Sequence, residues 1–307
     1  MATHSAFLRE TGIDWTMSKN ANKTVGVSPA HFNPLAAFGY VYWVDKATGD
    51  DDSDGLTPAT AFKTIAGAIT VSNLAVGDGN HMNTIYVNGG VYTESLTVLP
   101  RNTHLIAIGA WTCITGRHNF AVKSYNCHFH NFWFYGSGAY PNVNIPANCA
   151  TISFNGCTFG GTVSMTYSIE IAAMQELTIQ NCRFLGNPLV PTAIYFTGKQ
   201  LRTRISHNWI GATTNGILIN NFTGDYGNLI DHNVISRNST DPNSSAQMAY
   251  GIKMLKPTGT AKWLIVKNSI EAADAIYSAT ADNQFQNQCI SNGIVQAATG
   301  VMEEALT

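Results

Sequence analysis

The hexapeptide IQNCRF at positions 179–184 is one copy of a pattern that returns through the middle of the chain. The other copies read FHNFWF (129–134), FNGCTF (154–159), ISHNWI (205–210), IDHNVI (230–235) and IVKNSI (265–270). Each copy opens and closes on an apolar residue, and successive copies begin 25, 25, 26, 25 and 35 residues apart. A fixed period of this size is typical of a solenoid, in which each repeat buries its apolar face against its neighbours.

The residues around each copy indicate which solenoid this is. Apolar and polar residues alternate, as in LTI before Gln180, and this alternation predicts strands rather than helices. A second apolar strand follows in step with the first ladder, in VNI (143–145), IEI (169–171), IYF (194–196), ILI (217–219) and IKM (252–254). Together the two ladders predict an all-β fold, a right-handed parallel β-helix of about eight coils.

The fourth position of the hexapeptide is the most informative one. It is occupied in turn by Phe132, Cys157, Cys182, Asn208, Asn233 and Asn268. Asparagine tolerates a left-handed backbone well, and stacked amides can bond along the stack, so we expect a tight bend and an amide ladder here. Cys157 and Cys182 are one period apart and are expected to stack as buried, reduced thiols, whereas His207 and His232 are expected to stack at a turn.

The chain of 307 residues divides into four predicted segments. They are an N-terminal arm (1–40) that docks to a particle or to another subunit, an opening strand with an Asp-rich turn and capping helix (41–78), the β-helix (79–295), and a C-terminal cap or tail (296–307). The helix is predicted to begin at Thr57 and Pro58. Its apolar stripe is predicted to consist of Phe62, Ile65, Ala66 and Ile69, covering the open end of the β-helix.

The opening region carries a resemblance to a known family. From Tyr40 the chain reads YVYWVDKATGDDDSDGLTPATAFKTIAGAIT, and residues 84–98 read TIYVNGGVYTESLTV with its G-x-Y-x-E step. These stretches resemble the opening segment and first coil of the pectate-lyase-like right-handed β-helix superfamily, and the resemblance extends over residues 41–295. Members include polysaccharide lyases, pectin esterases, glycosidases, and the trimeric tailspikes and other surface proteins of bacteriophages, which this chain is closest to in character.

The resemblance implies the fold and assigns no catalytic residue. The acidic cluster with a nearby arginine base that marks calcium-dependent pectate lyases is not found in the sequence. The NTD, DD and G-H-G motifs of polygalacturonases and the paired catalytic aspartates of pectin esterases are not found either. An activity of the family therefore does not follow from the motifs of this chain.

The composition narrows the classes of partner. Charged residues make up 12% of the chain and the net charge is −2, which argues against nucleic acid and suits sugars or identical neighbours. No stretch approaches a membrane span, and the first residues, MATHSAFLRETGIDW, lack the pattern of a secretory signal.

Candidate metal sites are few. Asp50, Asp52 and Asp54 with Gly55 form the first half of a calcium loop, and Ala61 replaces the glutamate that an EF-hand would need. A calcium site completed by carbonyl groups and a solvated turn are both open, and no other cofactor is expected. Zinc is not expected at NCHFHN (126–131), because strand alternation sends neighbouring side chains to opposite faces.

Candidate catalytic and glycan-binding residues lie in the later coils. Asp225 and Asp231 form a close acidic pair of the kind that hydrolyses a glycosidic bond, although their spacing does not fix the distance between them. Trp209, Tyr226 and Tyr250 are candidates for stacking on sugar rings, with packing in the coil as the alternative.

Two functional hypotheses follow. The first is a structural, receptor-facing virion protein of a bacteriophage, a spike or capsid decoration, made in the host cytoplasm. It would form a homotrimer, contact other virion proteins through residues 1–40 and have a host-surface polysaccharide as a candidate partner. The second is a polysaccharide lyase or glycoside hydrolase with a groove near residues 205–260. The sequence leaves enzymatic activity open and leans against it.

Overall fold

The computed structural model describes residues 39–76, 81–136, 138–161, 165–185, 190–220, 226–237, 248–255, 263–278, 288–290 and 293–296. Within these ranges the chain winds as a β-helix whose strands form three sheets, A, B and C, and every strand pairing is parallel. The predicted fold is therefore confirmed. No helix in these ranges combines the length and apolar character needed to cross a membrane.

The strands are numbered β1 to β27 in chain order and fall into three sheets. Sheet A contains β1 (Val41–Val44), β2 (Asn83–Val87), β4 (Thr103–Ala107), β7 (Tyr125–His130), β10 (Cys149–Asn155), β13 (Met174–Gln180), β16 (Gln200–Leu201), β17 (Arg204–Ser206), β20 (Asn228–Asp231), β23 (Trp263–Val266) and β26 (Gln288–Ile290). Sheet B contains β3 (Gly90–Thr93), β5 (Thr112–Thr115), β8 (Trp133–Gly136), β11 (Thr158–Gly161), β14 (Arg183–Phe184), β18 (Trp209–Gly211), β21 (Val234–Ser236), β24 (Ser269–Glu271) and β27 (Gly293–Gln296). Sheet C contains β6 (His118–Asn119), β9 (Val143–Ile145), β12 (Tyr167–Ile171), β15 (Thr192–Phe196), β19 (Asn215–Asn220), β22 (Tyr250–Leu255) and β25 (Asp274–Ser278).

The regular part of the solenoid is slightly shorter than predicted. From β7 to β25 the chain makes about six turns that each place a strand in all three sheets. The coil before them ends in the two-residue strand β6, and the coils at either end are less regular. The predicted count of about eight coils therefore includes irregular turns at the ends.

Each hexapeptide spans the corner between two sheets. Its first residues end a strand of sheet A and its last residues begin a strand of sheet B, so the bend lies inside the motif. The backbone is left-handed, with φ between 52° and 67°, at the third position of all six copies: Asn131, Gly156, Asn181, His207, His232 and Lys267. The prediction that the fourth position adopts this conformation is wrong, because the fourth side chain must point inward.

The apolar positions of the hexapeptides form continuous inner columns. Ile179, Ile205 and Ile230 are register partners on neighbouring strands, and each is fully buried. In the earlier coils the same columns hold phenylalanines, and the rings of Phe129 and Phe154 stack with centroids 5.0 Å apart. The expectation of one shared dry interior is confirmed for these coils. Burial of this kind stabilises by about 25 cal/mol for each Å² of apolar surface removed from water.

The predicted amide ladder is present at the inward-facing fourth position. The Nδ2 of Asn208 donates to the Oδ1 of Asn233, and the Nδ2 of Asn233 donates to the Oδ1 of Asn268, both at 2.9 Å. Each of these three amides also donates to a backbone carbonyl, that of Ile179, Ile205 or Ile230. The backbone N–H groups of Cys182, Asn208 and Asn233 complete the pattern by donating to the Oδ1 one coil further on.

The thiols behave as predicted in the described part of the chain. The five cysteines whose side chains are described are free and buried, and they are Cys113, Cys127, Cys149, Cys157 and Cys182. Burial, followed by the neighbouring thiol of Cys182, raises the pKa of Cys157 well above its ordinary value. The Cys157 thiol therefore stays protonated, and the buried cysteines act as small core groups.

The capping helix differs in detail from the prediction. A 3-10 helix, Pro58–Thr60, begins at Thr57 with a capping box, and a separate α-helix, α1 (Ile65–Val76), packs against β1 and β2. The chain is not one helix because Phe62 forms a bridge with Val44 between them. The buried face of α1 contains Ile65, Ala68, Ile69, Ser72 and Val76, so placing Ala66 on the apolar stripe was wrong.

The Glu94 carboxylate fixes the start of α1 by accepting the backbone N–H groups of Ile65 and Ala66 at 3.0 and 2.9 Å. Burial raises the pKa of Glu94.

The predicted docking arm, except for Gly39 and Tyr40, lies outside the described residues. The predicted C-terminal tail lies outside them beyond residue 296.

Candidate functional site

The outer face of sheet A carries two columns of polar side chains. Successive strand residues point to opposite faces, and the parallel register stacks each outward residue on its partner in the next coil. One column consists of His104, His128, Ser153, Thr178 and Arg204, and the other of His130, Asn155, Gln180, Ser206 and Asp231. We call these ten residues the polar track.

The polar track has apolar residues at both ends. Before it, the outer face of sheet A presents Trp43, Tyr86 and Ile106 in one column and Val41 and Thr84 in the other, and after it Leu229 and Val266. From β4 to β20 the track crosses six strands, which corresponds to about 24 Å at the spacing of neighbouring strands. It is therefore a bounded polar surface, long enough to contact several units of a linear polymer.

Three histidines lie at the first end of the track. The Nδ1 of His104 is 3.3 Å from the Nε2 of His130, and the His104 and His128 rings stack with centroids 4.5 Å apart. The Nδ1 of His128 is 2.7 Å from the Oγ of Ser153. Burial lowers the pKa of all three, that of His128 to about 4, so the rings are neutral near pH 7.

Strand alternation in NCHFHN separates Cys127 from the two histidines but does not separate the histidines from each other. Cys127 points into the core, whereas His128 and His130, two residues apart, share the outer face. His104 joins them from the preceding coil, a neighbour that the spacing within NCHFHN does not reveal. Within the described ranges, no group of three or more histidine, cysteine or acidic side chains is placed to hold a metal ion.

Asp231 lies at the other end of the track, where the sequence predicts a catalytic carboxylate. Its Oδ2 is 3.6 Å from the Nη2 of Arg204 and 3.1 Å from the Nδ1 of His232. The ring of His232 stacks on that of His207 with centroids 5.0 Å apart, as predicted. The Oδ1 of Asp231 and the Oγ of Ser206 are buried and have no hydrogen-bond partner within the described residues.

The second carboxylate of the predicted pair, Asp225, lies outside the described residues. The nearest described acid on sheet A is Glu176, which is ion-paired with Arg202 at 2.9 Å and accepts the hydroxyl of Thr151. Glu176 is two coils and four residues of strand away from Asp231, or about 16 Å, which is too far for a glycosidase pair. Glu176 therefore does not complete the pair.

The structure does not bring the three predicted glycan-binding aromatics together. Trp209 is on the outer face of sheet B beneath the guanidinium of Arg183, whose carbon is 4.9 Å from the ring centroid. Tyr226 precedes β20 and forms a bridge with Leu201. Tyr250 is on sheet C, with the Nζ of Lys253 3.8 Å from its ring centroid. Their predicted role in glycan binding stays a prediction.

The aspartates of the predicted calcium loop make hydrogen bonds that shape the turn. The Asp54 carboxylate accepts the Thr60 hydroxyl and the Leu56 N–H, and the Thr60 bond is the main cause of the lowered pKa of Asp54. Asp50 accepts the N–H of Asp52 at 3.2 Å. These contacts account for two of the three carboxylates without a metal, and calcium binding stays a prediction.

No protein-family model matches the chain, and no curated protein matches it in sequence. Solved structures do match: pectate lyase Pel9A has a TM-score of 0.58 at 12% identity, covering 87% of this chain and 78% of the enzyme. Pectin methylesterase from Aspergillus niger has a TM-score of 0.55 at 15% identity, covering 88% of this chain and 91% of the enzyme. The Dettilon tailspike protein has a TM-score of 0.53 at 14% identity, covering 95% of this chain and 52% of the tailspike.

The chain has the pectate-lyase-like parallel β-helix fold. At these identities the likeness concerns the fold alone, and the chain spans about half the length of the tailspike. The same fold is therefore found in carbohydrate-active enzymes and in a phage tailspike.

Proposed function

We propose that this chain is a receptor-facing protein of a bacteriophage particle and that its β-helix binds a glycan along the polar track. The observation that carries this proposal is the track itself, two in-register columns on sheet A made mostly of hydroxyl, amide and imidazole groups, with Arg204 and Asp231 at one end. Such groups recognise the hydroxyl groups of sugars by hydrogen bonding. The low charge of the chain, 12%, fits a ligand that is largely neutral.

The repeat of the track suits a polymeric ligand. Neighbouring strands are about 4.8 Å apart, so equivalent polar groups return at a constant interval along the solenoid axis. A polysaccharide laid along this axis would meet a new pair of polar side chains at every coil. Thr178 and Gln180 in β13 illustrate one such pair, since both face outward on the same strand.

The assignment to a virion is supported by the tailspike fold match and extends the predictions made from the sequence. In this proposal residues 1–40 attach the protein to the particle, and three copies associate. Removal of residues 1–40 should abolish incorporation of the protein into particles and leave a folded β-helix.

The association of three copies is measured by the mass of the full chain in solution. A monomer at micromolar concentration would contradict the trimer.

Glycan binding is tested with a matched pair of asparagines. Asn155 lies on the polar track, whereas Asn144 faces outward on sheet C and donates to the side chain of Asn119. Asn155→Ala should weaken binding of a host-surface polysaccharide about fivefold to tenfold, because a neutral hydrogen bond contributes about 1 kcal/mol. Asn144→Ala should leave the affinity unchanged.

Calorimetry with a panel of polysaccharides from host surfaces gives the affinities. Equal effects of Asn155→Ala and Asn144→Ala would remove the track as the binding surface. Binding that survives both changes would move the glycan site to sheet B, where Trp209, Arg183 and Trp133 share one outer column.

A degrading enzyme is the second candidate, and the environment of Asp231 favours it. The Asp231 carboxylate lies 3.6 Å from the Arg204 guanidinium and 3.1 Å from the His232 imidazole, a grouping of the kind that general acid–base catalysis uses. New reducing ends or unsaturated products on incubation with polysaccharide, lost in Asp231→Asn, would establish this activity. Binding without products would favour the structural function.

A further inference from the structure

The three histidines at the first end of the polar track can gain positive charge with no described acid beside them, whereas Arg204 at the other end lies 3.6 Å from the Asp231 carboxylate. Their rings form one group, with centroids 4.5 Å apart for His104 and His128 and 5.5 Å apart for His104 and His130. All three project from the outer face of β4 and β7 and are partly exposed. A ligand lying on the track would therefore reach the imidazole groups.

The surroundings of the group offer no counter-charge among the described residues. From β2 it faces Thr84 and Tyr86, and β7 begins with Tyr125, whose ring lies under the Arg101 guanidinium. From β10 it faces Ser153 and Asn155.

The nearest described acids on or beside sheet A are already engaged. Glu176 pairs with Arg202 beyond Thr151, and Asp45 accepts the amide of Asn88 at the far end of β1. A charged imidazole in this group would have no described anion beside it.

The second pair of stacked histidines provides the contrast. His207 and His232 stack at 5.0 Å, and the carboxylate of Asp231 is 3.1 Å from His232. That pair carries its own anion, whereas the group of three would have to take one from a ligand. Protonated imidazoles donate charge-assisted hydrogen bonds, which are about twice as strong as neutral ones.

We propose that His104, His128 and His130 form an anion site for the carboxylate of an acidic sugar, and that the site strengthens as the histidines take up protons. This inference rests on the proposed function, since it assigns the group to one unit of a glycan on the track. It adds recognition of a carboxylate, which the hydroxyl and amide groups in the middle of the track do not select.

The direction of the pH dependence follows from linkage. The folded-state pKa of each histidine is lowered, so the rings are neutral at pH 7, and an anion that binds the charged form must raise the pKa. Affinity therefore increases as pH falls from 7 and declines again once the sugar carboxyl protonates, near the ordinary carboxyl value of about 4. The strongest binding is expected at about pH 5.

Sodium glucuronate and glucose are suitable probes, because only the first carries a carboxylate. In the full chain, NMR titration should show that glucuronate raises the pKa of His104, His128 and His130, and that glucose does not. His81, which precedes β2 outside the track, serves as the internal reference. Unchanged values for the three histidines in glucuronate would overturn the site without any variant having to fold.

The triple variant H104Q/H128Q/H130Q tests the same site by affinity. Wild type and the matched control H81Q should bind glucuronate about tenfold more tightly at about pH 5 than at about pH 7.5, which corresponds to about 1.4 kcal/mol. The triple variant should lose this increase. An equal increase in the triple variant, or an equal increase for glucose, would overturn the inference. Glycan binding that depends on Asn155 but shows no carboxylate effect would leave the proposed function standing.

Discussion

One position of the coil is built in two different ways in the two halves of the solenoid. In the earlier coils the fourth residue of the hexapeptide is Phe132, Cys157 or Cys182, and in the later coils it is Asn208, Asn233 or Asn268. All six side chains are buried at the same corner between sheets A and B. The backbone around them is the same, with a left-handed residue just before each.

The difference shows what a buried amide requires. An amide removed from water without partners costs several kcal/mol, whereas a thiol or a phenyl ring makes no such demand. The Asn233 amide meets the requirement because its neighbours Asn208 and Asn268 occupy the same position one coil before and one coil after. A thiol can be replaced alone, but an amide of the ladder depends on the coils beside it.

The largest effect is expected from interrupting the ladder at its centre. Asn233→Ala leaves the Asn208 N–H and the Ile205 carbonyl without the partners that Asn233 supplies, and should lower the free energy of unfolding by about 3 kcal/mol. Urea denaturation followed by circular dichroism measures the loss.

Cys157→Ala is the matched control in the other half of the solenoid. It removes one sulfur atom, leaves the backbone bonds of the corner in place, and should cost about 1 kcal/mol. If Asn233→Ala and Cys157→Ala lower the free energy of unfolding equally, the hydrogen bonds of the ladder add no stability beyond the packing of its side chains.

A smaller effect is expected from lengthening the ladder by one coil. Cys182 is next to Asn208, its N–H already donates to the Asn208 Oδ1, and its Sγ is 3.4 Å from the Phe154 carbonyl. In Cys182→Asn the new amide would have both partners, so the stability should stay within about 1 kcal/mol of wild type. The reverse change in the ladder, Asn233→Cys, should lower the free energy of unfolding by about 2 kcal/mol or more, because it leaves the neighbouring polar groups without hydrogen-bond partners. A Cys182→Asn protein as unstable as Asn233→Cys would contradict the shared geometry of the two halves.

The smallest effect concerns the left-handed residue that both halves share. Lys267 is exposed and has φ of 53°, a conformation that costs an L-residue about 1 kcal/mol, so Lys267→Gly should stabilise by up to about that amount. Gly156→Ala, at the same position of an earlier coil, should destabilise, because the new Cβ would be 2.4 Å from the Asn131 Oδ1. Thermal melting compares the two, and a loss of stability in Lys267→Gly would show that its side chain stabilises the bend more than the backbone strain costs.

The sequence predicts the solenoid well because its period and its apolar columns are local patterns. Ile179, Ile205 and Ile230 are where the spacing places them, and the amides of Asn208 and Asn233 bond as expected. The sequence does not predict which residue has the left-handed backbone at the bend, because His207 and Lys267 are not residue types that typically adopt it. The sequence pattern also predicts one helix where the structure has two. The bridge between Val44 and Phe62 separates them, and it depends on a strand that the local pattern does not include.

Of the candidate site, the sequence identified Asp231 and missed the track around it. The track depends on register, which pairs Asp231 with Ser206 and Arg204 with Thr178 across separate coils. A readable pattern did exist, because the second residues of five successive hexapeptides are polar: His130, Asn155, Gln180, Ser206 and Asp231. This polar column is common to the five copies, whereas a pattern of acidic pairs contains only Asp231 from it.

The near-constant coil length has an evolutionary consequence. Successive hexapeptides from Phe129 to Ile230 begin 25 or 26 residues apart, and each coil meets the next through the same register. Duplication of one such coil in the gene would insert a complete step between the histidine end and the Asp231 end and leave both ends chemically intact. The length of the polar track can thus change in whole increments, while the residues at its two ends are inherited unaltered.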